Sequence, residues 1–273
     1  MDRLKTMLRV DMRRMFTTGL FYIMIGIALC TPIVILVMTS SLAGTETTDP
    51  KTGEVTVVEG FDSAWQMIGS EGGFDMLSEG TDTAQTDDSA AMGSGMDMTS
   101  MCNINLVYMM TGIFLCLFVG EDFRSGYAKN LFTVRAKKGD YVASKTIVGL
   151  IAGAAMLIAF FIGTLLGGKI AGLPFDLGNS GIDGLIMCML AKIFLTGVFA
   201  AIFLAMSVYA KKKTWLSILL SLGAGMLLFM MIPMVTPLDS SIMNVVICLA
   251  GSAMFCFGLG TVSKVVLNKT SLV

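Results

Sequence analysis

Residues 19–42 read GLFYIMIGIALCTPIVILVMTSSL, a stretch without a single charged side chain. A helix crosses the hydrocarbon core of a bilayer in about 20 apolar residues, whereas the apolar region of a cleavable signal peptide has about 7–15. Residues 19–42 therefore predict a transmembrane helix that is not cleaved off as a signal peptide. Pro32 is compatible with a span, because neighbouring helices can satisfy the carbonyl group that a proline leaves unpaired.

Five further apolar runs of similar character follow, at residues 104–120, 146–168, 184–210, 215–235 and 241–263. The second run is short, and we expect its helix to continue past Gly120. Of the 273 residues, 55% are hydrophobic and 14% are charged, against about 45–50% and 25% in soluble domains. The composition thus indicates an all-α integral membrane protein with six transmembrane helices and excludes an ordinary soluble enzyme.

The basic residues predict the orientation of these helices. With six spans, four of the segments outside the membrane fall on the same side: 1–18, 121–145, 211–214 and 264–273. They hold sixteen of the 19 lysines and arginines. The segments on the other side are 43–103, 169–183 and 236–240. Since lysine and arginine are enriched in cytoplasmic loops, both termini are predicted to be cytoplasmic.

The long outer loop, residues 43–103, holds twelve acidic residues and one basic residue. Its second half, around TDTAQTDDSAAMGSGMDMTSM at 81–101, is too low in complexity to build a core. The first half contains apolar residues at helical spacing, which predict a short amphipathic helix on the outer membrane surface: Phe61, Ala64, Trp65 and Ile68. Two interpretations remain open, a solvated acidic loop with one membrane-touching segment or a binding site for a cationic ligand.

Several kinds of catalytic site are excluded by the sequence. The chain has no histidine, and its six cysteines form no CxxC pair, so His-dependent catalysis, a zinc site and a disulfide framework are not indicated. Residues 163–169 (GTLLGGK) have phosphate-loop spacing, but Ile170 replaces the magnesium-binding hydroxyl residue and no strand precedes. Glycines four residues apart favour close helix contact instead. We therefore expect no catalytic residue, cofactor or metal in this chain.

Residues 1–18 are predicted to form an amphipathic interface helix. Its apolar stripe consists of Leu4, Leu8, Met12 and Met15. The basic residues fall largely on other faces, which would place the helix at the level of the lipid headgroups. The alternative is a positively charged anchor that contacts no partner.

The cytoplasmic segment 121–145 reads EDFRSGYAKNLFTVRAKKGDYVASK. Glu121 and Asp122 fall at the negative end of a helix dipole. Either the helix continues past them, or nearby bases hold the carboxylates, such as Arg124 three residues after Glu121. Gly126 permits a break in the helix. The residues that follow at i, i+4 and i+7 predict the apolar face of a short helix, a docking surface for a soluble partner: Tyr127, Leu131 and Val134.

The order of residues in this segment resembles that of the ABC-2 type transporter permeases. Their pattern is a glutamate at the end of the second span, a glycine, a short helix, a basic residue and a lysine that opens the third span. Tyr127 departs from the threonine that relatives often have. The resemblance implies that coupling to an ATPase is carried by Glu121, Gly126, Tyr127, Leu131, Val134, Arg135 and Lys145.

The resemblance further implies a permease subunit in a bacterial cytoplasmic membrane, with two cytoplasmic ABC ATPase subunits that bind ATP and Mg²⁺. A second copy or a paralogue would complete the assembly, and nucleic acid is not expected as a partner. The implied substrate is an amphipathic peptide toxin, bacteriocin or antibiotic, such as a phenol-soluble modulin, or a lipid-like molecule. The alternative is a non-transporting sensor or scaffold whose acidic outer loop binds a ligand.

Lys192 is the one basic residue inside a predicted span. An ammonium group at this depth is costly and faces a cavity or a partner in most membrane proteins, which makes Lys192 a candidate for the substrate path. The alternative is that its alkyl stem carries the charge toward the outer interface.

Overall fold

A computed structural model of the chain describes residues 2–48, 55–57, 60–69, 105–133, 137–176, 181–210, 213–231 and 242–269. The helices of this part are α1 (Asp2–Thr17), α2 (Gly19–Leu42), α3 (Ala64–Gly69), α4 (Asn105–Arg124), α5 (Tyr127–Thr133), α6 (Lys138–Ala171), α7 (Gly181–Ala210), α8 (Thr214–Met231) and α9 (Ile242–Lys269). The strands β1 (Glu46–Thr48) and β2 (Val55–Val57) pair in antiparallel fashion, with Glu46 opposite Val57.

Helices α2, α4, α6, α7 and α9 are each long and apolar enough to cross a membrane. This confirms a helical, multi-pass membrane protein. The apolar stretch of α8, Thr214–Leu228, is shorter, so the sixth span and the orientation of the termini remain predictions. Helix α4 runs on to Arg124, as expected from the shortness of the predicted second span.

Helix α6 is the organising element of the bundle. It begins at Lys138 rather than at residue 146 and has 34 residues. Its length is therefore about 51 Å, well beyond the roughly 30 Å of a hydrocarbon core. It packs against α2 along much of its length and also contacts α1, α4, α7 and α9. We call the end at which α6 begins the basic end, and the other the opposite end.

Glycines allow α2 and α6 to approach closely. A Cβ atom added to Gly163 would meet the backbone carbonyl of Leu29, and one added to Gly167 would lie 2.8 Å from the Cα of Ile33. Residues 163–169 are helical throughout, which rules out a phosphate-binding loop there. The predicted close helix contact is confirmed.

At the opposite end, α3 forms within the segment predicted to be a surface helix, but it packs on the protein. Ala64, Met67 and Ile68 are buried. A Cβ atom on Gly168 would lie 2.5 Å from the Cβ of Ala64, so the missing side chain makes room for α3. The backbone N–H of Ala64 donates a hydrogen bond to Pro174 at 3.0 Å. The apolar face therefore covers this end of the bundle.

Candidate functional site

Four charged side chains from three helices meet at the basic end, and we call them the charge cluster: Asp11 and Arg14 of α1, Asp122 of α4 and Lys145 of α6. The Lys145 Nζ atom lies 2.9 Å from Asp11 Oδ1 and 2.7 Å from Asp122 Oδ2. Arg14 Nη1 lies 2.7 Å from Asp122 Oδ1. With two positive and two negative groups, the cluster is neutral as a whole.

Three of the four side chains of the charge cluster are sealed from solvent, whereas the Arg14 side chain is 30% exposed. Asp11, Asp122 and Lys145 have no more than 1% of their surface exposed. The Tyr141 hydroxyl donates a hydrogen bond to Asp122 Oδ2 at 3.0 Å, and the Ser144 hydroxyl donates one to Asp11 Oδ2 at 2.6 Å. The free energy that a buried ion pair gains by attraction is largely offset by the cost of removing its charges from water. We therefore expect the arrangement to fix the position of α1 on α4 and α6 more than to stabilise the fold.

Aromatic rings extend the charge cluster to α5. The Arg14 guanidinium lies 4.3 Å from the centre of the Tyr127 ring, and Lys145 Nζ lies 4.1 Å from that of Phe118. Both distances suit cation–π contacts. Burial and the carboxylate of Asp11 raise the pKa of the Tyr127 phenol despite the opposing effect of Arg14, so the phenol stays neutral. Burial alone would lower the pKa of Arg14, but Asp122 outweighs it and the pKa is raised.

Helical spacing explains how α1 brings its charges to this position. Asp11 follows Leu4 by seven residues and precedes Met15 by four, so it lies on the apolar stripe of the helix. Met15 is fully buried and Asp11 is 1% exposed. The predicted interface residues Leu4, Leu8 and Met12 are half-buried on the same side. This stripe packs on the protein, chiefly on α6, rather than only on lipid.

A comparison with known protein families decides the identity of the fold. The model of the ABC-2 family transporter protein matches residues 74–228, more than half of the chain. The chain belongs to the ABC-2 transporter family. Nothing matches it among the curated proteins or among the solved structures.

Family membership makes the chain the membrane-embedded permease of an ABC transporter and implies an ABC ATPase partner. The matched region contains Asp122 and Lys145, whereas Asp11 and Arg14 precede it. The charge cluster therefore fastens the amino-terminal helix of this ABC-2 permease to the family region.

Glu121 and the adjacent Asp122 have different surroundings in the structure. The Glu121 side chain is 57% exposed, and it lies 3.8 Å from Arg124 in the loose pair expected from their spacing. Asp122, which was not predicted as a site residue, faces α1 and α6. Successive helical residues point about 100° apart, so only one of two adjacent acids can face the interior. The sequence shows two adjacent acids at this position, but no local pattern indicates which of them faces the interior.

Lys145 was predicted among the residues that couple the permease to the ATPase. Its side chain is fully buried and bound to Asp11 and Asp122. A partner protein cannot touch it. Lys145 therefore acts inside the ABC-2 permease, by holding α6 to α1 and α4.

The break at the start of α5 is confirmed. Gly126 has φ +76°, a left-handed conformation that favours glycine, and it separates α4 from α5. Helix α5 then turns its apolar side inward: Tyr127 is half-buried against Arg14, and Leu131 packs on the core. The expected docking face is thus partly used within the ABC-2 permease.

The exposed side of α5 is polar and consists of Lys129, Asn130 and Thr133. These residues were not among the predicted coupling residues. The prediction that α5 is a docking helix implied only that one of its faces is exposed to a partner. The predicted site residues Val134 and Arg135 lie outside the described residues.

At the opposite end, Lys192 of α7 is bound beneath α3. Its Nζ atom donates a hydrogen bond to the backbone carbonyl of Ile68. The thiol of Cys188 donates to the same carbonyl at 3.7 Å, and the Tyr108 hydroxyl donates to the carbonyl of Lys192 at 3.3 Å. The ammonium group is therefore directed at another part of the ABC-2 permease and not at an open interface.

Proposed function

We propose that the chain is the permease subunit of an ABC-2 exporter that moves an amphipathic substrate out of the cell. The ATP is hydrolysed in a separate subunit. The observation that carries the proposal is the charge cluster, which joins α1, the end of α4 and the beginning of α6 beside the short helix α5. These elements must move together if the ATPase binds at the basic end and displaces it.

The surface available to the ATPase lies around this cluster. Helix α1 exposes Arg3, Arg9 and Arg13, and α5 exposes Lys129 and Asn130. The charge cluster lies beneath this surface. Because breaking a buried ion pair is costly, we expect α1, α4 and α6 to move together when the ATPase displaces them. Helix α6 then carries the displacement through the membrane, because its remote half packs tightly against α2.

The full assembly in this proposal has two ATPase subunits and two permeases, identical or paralogous, in a bacterial cytoplasmic membrane. Helix α8 is the sixth span, and both termini are cytoplasmic. The ATP and Mg²⁺ belong to the partner chains. Helices α2 and α9 expose large apolar side chains suited to lipid or to a second permease, among them Ile23, Ile27, Val34, Val246, Phe257 and Val262.

The substrate class in this proposal is an amphiphile, and in its narrower form a peptide toxin, bacteriocin or antibiotic. The 24 methionines support a broad apolar specificity, because the flexible thioether side chain adapts to different shapes. A role in self-protection against such a molecule is part of the same proposal.

Co-purification with the candidate ATPase tests the proposal. Lys129→Glu reverses a charge on the exposed side of α5, and Lys169→Glu is the matched control on an exposed lysine at the opposite end. We expect the wild type and the control to retain the ATPase, and Lys129→Glu to bind about tenfold more weakly without loss of thermal stability. Leu131→Asp should lose both binding and stability, since Leu131 packs on the core.

Equal ATPase binding by Lys129→Glu and the wild type would show that α5 is not the coupling element. If no ATPase co-purifies with the wild type at all, the sensor or scaffold function is favoured, because a sensor does not need a stoichiometric ATPase. Transport in reconstituted vesicles then distinguishes weaker assembly from weaker coupling.

A further inference from the structure

The environment of Lys192 lacks a negative charge among the residues that the structure describes, where no carboxylate oxygen lies within 4.0 Å of its Nζ atom. An ammonium group has three donors. The hydrogen bond described for it goes to the neutral carbonyl of Ile68. A hydrogen bond to a carbonyl needs only an N–H donor, so the positive charge of Lys192, which is costly inside a span, is not balanced by this contact.

The side chains near Lys192 in the fold are uncharged and largely apolar. Tyr108 is buried and stacks on Phe199 with ring centres 4.7 Å apart, and Cys188 is buried one helical turn before Lys192. Half-buried Met189 also packs on the apolar core. A cation set among such side chains is complementary to an amphipathic anion.

The cover over this position is a small element. Helix α3 has six residues. Besides the backbone bond of Ala64 and the buried side chains of Met67 and Ile68, its contact is the Trp65 ring, which meets Phe175 of the segment after α6 edge to face with centres 6.2 Å apart. An anionic oxygen adds a charge–charge attraction to the hydrogen bond that an ammonium group donates, and this attraction is stronger at a buried position than in water. An anion can therefore compete with Ile68 for Lys192.

We propose that Lys192 binds the anionic group of the exported amphiphile, a carboxylate or a phosphate. The carbonyl of Ile68 occupies that position until the substrate displaces α3. The inference rests on the proposed export function for its biological meaning, but the binding event itself needs no ATPase. In this proposal, Lys192 binds α3 through the carbonyl of Ile68 in the absence of substrate and binds the anionic group when substrate is present.

Trp65 reports on the cover directly. The chain has two tryptophans, so Trp215→Phe leaves Trp65 as the sole emitter. We would place the full chain in nanodiscs of neutral phosphatidylcholine and titrate dodecyl phosphate below its micellar concentration. We expect a saturable shift of Trp65 emission. Lys192→Gln should raise the midpoint at least about tenfold, the loss of one charge-assisted contact.

Three controls define the outcome. Lys192→Arg keeps the charge and should keep the response, and Lys169→Gln, at an exposed lysine, should behave as the wild type. Dodecyltrimethylammonium has the same chain but a cationic head and should produce no saturable shift. Equal midpoints for Lys192→Gln and the wild type, or equal responses to the two detergents, would overturn the proposal.

A second titration distinguishes the two sources of the anionic group. An amphipathic helical peptide with a free terminal carboxylate is compared with its carboxyl-terminal amide. A response to the acid but not to the amide adds a peptide terminus to the anions that bind, and no response to the acid assigns the site to a lipid-like phosphate. Because the measurement omits the ATPase, a positive result here stands even if the co-purification experiment fails.

Discussion

Lys145 Nζ lies 2.7 Å from Asp122 Oδ2, and neither side chain has any exposed surface. Asp122 lies in the last turn of α4, where the helix dipole disfavours a carboxylate. Lys145, together with Arg14, supplies the positive charge that this position requires. The pair thereby fixes the end of one membrane helix against the beginning of another, beside the surface that we propose for the ATPase.

Asp122→Asn should be far more damaging than Glu121→Gln. The first change leaves fully buried Lys145 and part-buried Arg14 with one carboxylate between them, so we expect a loss of about 3–5 kcal/mol in the free energy of unfolding. The second removes an exposed charge and should change it by less than about 0.5 kcal/mol. Thermal unfolding of both variants in the same detergent provides the comparison. Similar melting temperatures would mean that the charge cluster does not hold the helices together.

The double variant Asp11→Asn, Lys145→Met should be more stable than its two single variants suggest. Each single change leaves the charge cluster with an unbalanced charge. The double change removes one group of each sign and leaves the Arg14–Asp122 pair at 2.7 Å. We expect the double variant to lose at least about 1 kcal/mol less than the sum of the single losses. Additive losses in a denaturation series would show that the two residues act independently.

Gly163→Ala should separate α2 from α6. The added Cβ atom would meet the backbone carbonyl of Leu29, which cannot rotate away as a side chain can. Overpacking of this kind costs about 1–3 kcal/mol. The matched control is Gly258→Ala in α9, where nothing lies within 4 Å of the new atom; there we expect a gain of up to about 1 kcal/mol from helix propensity. Unfolding measurements that rank the two variants in the reverse order would contradict the close packing of α2 on α6.

Deletion of residues 81–100 should leave assembly with the ATPase and basal ATP hydrolysis intact. These residues lie outside the described ones, and the prediction rests on their acidic, low-complexity sequence. Co-purification and hydrolysis rates of the deletion variant measure the effect. Failure to assemble would identify this part of the outer loop as a structural element of the complex.

Local sequence patterns predicted the helices well where one helix carries its own signal. Residues 19–42 were predicted to span the membrane, and α2 has the same bounds. The break at Gly126 was also predictable, since glycine adopts positive φ without strain. The amino-terminal extension of α6 to Lys138 was missed, because residues 138–145 carry three charged side chains that interrupt the apolar pattern.

The sequence alone determined that this chain is a helical membrane protein of the ABC-2 type, because hydrophobic runs and motif order are properties of the chain itself. Only the tertiary structure decided which charges matter at the basic end. Glu121 and Asp122 are adjacent acids, and Asp11 is one acid in a basic helix. Their roles differ because the packing of α1 on α4 and α6 buries Asp11 and Asp122 against Lys145 and leaves Glu121 in solvent. Burial lowers the effective dielectric and strengthens the attraction between charges, and it depends on helices that are distant in the sequence.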